Sequence, residues 1–166
     1  MKSNYIHSTP GWDYYSVLIK CSCGCSFIEV WINGYGDDEK VEAGVTYYGP
    51  QHKTAFPDFY FLSDDDFELF CDSIMALSKD STPFEEPITL GTQLNLKNGK
   101  VKFNGCLEIN TDDCGFGFMD IIRRPKARSK KYWWDITIQD REFKEVSEAL
   151  QELLEKYKKL KEVYRK

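Results

Sequence analysis

The 166 residues are 42% hydrophobic and 15% aromatic, enough for a packed core, which excludes a globally disordered chain. No run of 18 or more apolar residues occurs, so a membrane-spanning helix is excluded as well. The net charge is −5, yet segment 123–131 (RRPKARSKK) holds six basic residues, so the rest of the chain is acidic.

The first stretch, MKSNYIHSTPGWDYY, lacks the apolar block of a secretory signal, and a cytoplasmic location is expected. In that reducing compartment the six cysteines are read as thiols, small buried hydrophobes or metal ligands rather than as disulfides. Segments 14–22 (YYSVLIKCS) and 25–34 (CSFIEVWING) are rich in β-branched and aromatic residues. Cys23-Gly24 between them marks a turn, so the pair reads as a hairpin. Segment 41–49 predicts a third strand and 58–62 a fourth. Ser63 or Asp64 then caps a helix over 64–79, with Phe67, Phe70, Ile74 and Leu77 on one stripe.

Two prolines in 80–87 (DSTPFEEP) interrupt the pattern. Strands follow at 91–99, 100–110, 114–124 and 132–138, the first pair joined by Asn98-Gly99. Asp140 opens a helix running to about residue 164, with Phe143, Val146, Leu150, Leu153, Leu154, Tyr157 and Leu160 on its apolar side. The expected fold class is α+β. Two tandem ββββα halves, 1–79 and 91–166, are joined by a connector at 80–90, with antiparallel sheets and a helix packed on each. An offset of 76 positions aligns 59–77 with 135–153 without a gap, placing Phe67 on Phe143, Asp64 on Asp140 and Ile74 on Leu150. The same offset carries Phe27 to Phe103 and Val45 to Ile121. Halves of this size bury little alone, which favours one pseudo-twofold unit.

Chemistry-bearing residues are few. Cys21, Cys23 and Cys25 form a C-x-C-x-C run that Cys114 or a histidine would have to complete as a tetrahedral thiolate site. His7 and His52 lie in different loops, so no ligand set is complete and no cofactor is expected. The chain has no G-x-S-x-G, no phosphate-cradling glycine loop before a helix and no H-E-x-x-H, so it is not read as an enzyme. The binding candidates are Arg123, Arg124, Lys126, Arg128, Lys130, Lys131, Tyr132 and Trp133, where cations would neutralise phosphates and rings would stack on bases. The structural alternative for that segment is a solvated hairpin loop. Exposure of Trp31, Tyr47, Tyr48, Trp133 and Trp134 separates these readings.

The ββββα order, twice, resembles the PUR-repeat and Whirly-like group of single-strand-binding folds. That resemblance implies curved sheets presenting aromatic and basic residues to unpaired bases, with helices packed behind. Segment 19–32 (IKCSCGCSFIEVWI) is similar to a cysteine-rich strand pair in small uncharacterised proteins of Gram-positive bacteria and their phages. With the acidic bulk surface, this likeness leads to a non-enzymatic binding protein acting through protein–protein contact. The class it points to is a phage or mobile-element inhibitor of bacterial defence, anti-CRISPR-like, whose partner is a protein such as a nucleic-acid-handling complex. The alternative is a single-stranded nucleic-acid binder. No membrane partner is expected.

Overall fold

Branched and aromatic side chains alternate along the N-terminal segments, and the backbone follows that period of two into a sheet. The computed structural model describes residues 6–8, 13–22, 24–35, 40–49, 59–61, 63–79, 88–95, 101–111, 118–125, 134–139 and 142–164. The elements run β1 (Ile6–Ser8), β2 (Tyr14–Lys20), β3 (Phe27–Tyr35), β4 (Lys40–Tyr48), β5 (Phe59–Phe61) and α1 (Asp64–Lys79). Then come β6 (Ile88–Asn95), β7 (Val101–Thr111), β8 (Phe118–Pro125), β9 (Trp134–Gln139) and α2 (Phe143–Val163). The class is α+β. β6 begins inside the expected connector 80–90, whose residues 80–87, like the turn Asn98-Gly99, lie outside the described residues.

The strands form one antiparallel sheet in simple sequence order, β1 to β9. The antiparallel sheets expected of the two halves are a single one: β5, only three residues long, pairs with β4 on one edge and with β6 on the other, so the sheet passes between the halves unbroken. Val17 stands opposite Val30, Val30 opposite Val45, and Val45 opposite Phe59. The three valines are buried on the face that meets the helices. At the β2–β3 hairpin, Gly24 donates its N–H to the Cys21 carbonyl at 2.9 Å. Its φ of 77° is a left-handed conformation that glycine adopts without a Cβ clash.

The sheet also returns on itself. β1 pairs only with Tyr15 to Val17, leaving the rest of that β2 edge open. β9 arrives there: the Ser22 N–H donates to the Thr137 carbonyl at 2.7 Å, and the Thr137 N–H donates to Cys21 Sγ at 3.4 Å. Strand twist permits such a curl, and it puts Ile136 and Ile138 into the same core as Ile19 and Ile28.

Both helices lie on the core side. At the start of α1, Ser63 Oγ accepts the Asp66 N–H at 3.1 Å, as an N-cap does, and Asp64, Asp65 and Asp66 complement the helix dipole. Phe67, Phe70, Cys71 and Ile74 are fully buried. α2 is 21 residues long, about 32 Å. All seven of its expected apolar positions are buried. A helix seated on the sheet of its own half is not what forms. α2 lies against β1 to β4, while α1 packs on β5, β6 and α2. The end of α2 is pinned where the Tyr164 hydroxyl donates to Asp13 Oδ2 at 2.6 Å. There the Tyr164 ring covers Gly34, at which a Cβ would sit 2.9 Å from Cε2.

Phe67 touches Phe61 at 5.4 Å between centroids and Tyr157 at 4.8 Å, so it ties sheet to both helices. Phe67→Ala is expected to cost about 3–5 kcal/mol in urea unfolding; a loss under about 1 kcal/mol would refute this central role. Gly34→Ala should unfold at lower urea, with Tyr164→Ala in the same chain restoring part of the loss. Additive losses instead would show that the ring does not occupy that space.

Candidate functional site

The burial of Phe67, Phe70, Cys71 and Ile74 fixes what α1 shows to solvent. Asp65, Leu69, Asp72 and Ala76, at i, i+4, i+7 and i+11, form its exposed crest. Leu69 is 45% exposed, one of two large exposed hydrophobics among the described residues, with Val163 near the end of α2. α1 carries five acidic residues and one lysine, whereas α2 carries five acids and five lysines. The helix pair is therefore acidic because of α1.

Beside the N-terminus of α1 lies an open groove of about 790 Å³, walled by Lys40, Glu42, Asp64, Tyr157, Lys161 and Glu162 among others. Tyr157 donates its hydroxyl to Asp64 Oδ1 in a very short hydrogen bond. Lys161 Nζ is 3.0 Å from the same oxygen and 5.6 Å from the Tyr157 ring centroid, and Lys158 pairs with Glu68 at 3.0 Å. Burial, then the Asp64 bond and its charge, pushes the Tyr157 phenol well above its ordinary value. The proton is held, so this hydroxyl positions rather than transfers at neutral pH. The two ion pairs are exposed, each contributing about 0–1 kcal/mol. Farther along the α1–α2 seam, sharing Leu154 and Lys158 with that groove, a cleft of about 520 Å³ runs between the two helices. Met75, Ala76, Ser147 and Leu154 line it, with Asp72, Gln151, Glu155 and Lys158.

Cys71 is fully buried, and desolvation followed by the charges of Asp72 and Glu68 drives its thiol far upward. It is a packing residue, not a nucleophile at neutral pH. On the sheet face opposite the helices, Trp31 stands between Ser16 and Gly44 in the strand register. It is 4% exposed, donates to Thr46 Oγ1 at 3.1 Å and meets Tyr60 edge-on at 5.2 Å. Tyr48 is half-buried and stacked on Phe27 at 4.6 Å, and Tyr47 is half-buried against the core. Trp31 is thus a packed residue and not an open stacking platform.

Of the residues singled out in the sequence, Arg123 and Arg124 fall in β8. Arg123 is opposite Leu107 and Trp134, and Arg124 is opposite Cys106. Lys126, Arg128, Lys130, Lys131, Tyr132 and Trp133 lie outside the described residues, as do Cys23 and Cys114. Cys21 is half-buried at the β2–β9 seam, where its sulfur accepts the Thr137 N–H, and Cys25 is exposed. Among the described residues no three His, Cys, Asp or Glu side chains are grouped to hold a metal ion. The crest of α1 and the inter-helix cleft were not picked out by sequence motifs; the Asp65, Leu69, Asp72, Ala76 spacing is the signal that could have found the crest.

No protein-family model matches this chain, and no curated protein is significantly similar to it.

A raised tyrosine pKa stabilises the fold fully below the unfolded phenol value, about 10, and that contribution is lost as pH rises past it. Tyr157→Phe should therefore flatten the alkaline fall in stability and cost about 1 kcal/mol at neutral pH. Urea midpoints followed from neutral to alkaline pH check this, and parallel curves for the two proteins would refute it.

Proposed function

We propose that this protein is a non-enzymatic binding protein acting through protein–protein contact, an anti-CRISPR-like inhibitor carried by a phage or mobile element, and that α1 is the face it presents. The observation that carries the reading is the α1 crest: an exposed Leu69 between Asp65 and Asp72, on a helix whose charge is strongly acidic. An apolar anchor ringed by like charges suits a partner with an apolar recess in a basic surface. Proteins that handle nucleic acid carry such surfaces, because they neutralise phosphates. The scaffold, in this reading, is a duplicated ββββα unit whose copies diverged, with the binding face on the first copy's helix. In support, the 76-residue offset carries β3 and β4 onto β7 and β8 to within two residues at each end.

The test is capture of a stoichiometric partner from a lysate of the source cells by immobilised protein. Asp65→Lys with Asp72→Lys is expected to weaken that capture by about tenfold or more, since each like-charge contact against a basic partner is unfavourable. The reading falls if the variant captures equally. It also falls if the wild type captures nothing and instead binds single-stranded oligonucleotides with steep salt dependence, as the PUR/Whirly-like alternative requires.

A further inference from the structure

The cleft between α1 and α2 joins an apolar strip to carboxylates from both helices. Its apolar part is Met75 and Ala76 from α1 and Leu154 from α2. Asp72 and Glu155, both exposed, flank it from the two helices and make no ion pair among the described residues. Lys158, the one lysine on its wall among the described residues, is already paired with Glu68 at 3.0 Å. What the cleft offers an incoming segment is therefore two carboxylates without an ion-pair partner among the described residues, astride an apolar strip, with the Gln151 amide able to bond a backbone or side-chain group. Two packed helices leave a groove of helix-like width, and a third helix fills it ridges into grooves.

We infer that the α1–α2 cleft binds a basic amphipathic helix of a partner protein, its apolar stripe on Met75, Ala76 and Leu154 and its lysines or arginines on Asp72 and Glu155. The inference rests on the protein-binding reading and specifies which element of the partner is recognised. Charge decides the occupant: an acidic or neutral helix would leave both carboxylates unpaired beside apolar surface, and a nucleic-acid strand would be repelled by them. The Leu69 crest borders the cleft through Asp72 and Ala76, which belong to both, so the partner's remaining surface reaches the crest without a break.

The probe is an amidated peptide of about 16 residues, the length of α1, with leucines at three-to-four spacing and lysines or arginines elsewhere. A scrambled peptide of the same composition controls for charge alone. Binding is read by fluorescence anisotropy, and the site by methyl shifts of Met75, Ala76 and Leu154. The amphipathic peptide is expected to bind at least about tenfold tighter than the scramble. Asp72→Lys, Glu155→Lys and the cleft-filling Ala76→Trp should each weaken it by about tenfold, and Glu145→Lys, the same charge change outside the cleft, should not. Equal binding of the two peptides, equal loss in Glu145→Lys, shifts mapping elsewhere, or no binding each overturn the inference. If the peptide fails while partner capture still depends on Asp65, the cleft is refuted and the binding face stands; if peptide binding holds and capture fails, the reverse is true.

Discussion

Where α1 packs on α2, the Phe67 ring meets the Tyr157 ring edge-on at 4.8 Å, and the hydroxyl that comes with the second ring has to be satisfied. Asp64, in the first turn of α1, accepts it, and Lys161 from the next turn of α2 balances the carboxylate. One residue thus serves the helix dipole, the phenol and an ion pair. Because Asp64 is fixed by the helix it opens, Tyr157 fixes α2 relative to α1. That in turn sets both the larger groove and the cleft that follows it along the α1–α2 seam. An apolar residue at Asp64 would leave a largely buried hydroxyl without its acceptor.

The sheet imposes the second constraint. A single meander whose late strand returns to an early one has few open edges, and the short β1 leaves room for that return. The helices then cover one face, while Trp31, Tyr60 and Thr46 make contacts on the other. Among the described residues, the outer faces of α1 and α2 are left to solvent by this packing.

Local features were legible in the sequence where they had local causes. The bounds of α1 followed from Ser63, the aspartates and the phenylalanine spacing, and the buried side of α2 from its leucines. Strands were placed by alternation to within a few residues, although β1, three residues with no repeat of its pattern, went unread. What was not legible is non-local. Nothing near Cys21 announces Thr137, 116 positions away, and no stripe on α2 says whose strands it will cover. The cysteine run drew attention as a ligand set, whereas the structure gives Cys21 a seam contact. The inter-helix cleft exists only once two helices are side by side.

The placement of α2 has a consequence for how the chain is made. Val17, Ile28, Val30 and Ala43 belong to early strands, yet α2, the helix that covers those strands, follows all of β1 to β9 in the chain. An emerging N-terminal half therefore carries an apolar sheet with no lid until α2 has been made. The strands that open the sheet therefore wait for a cover that comes more than 90 positions later in the chain.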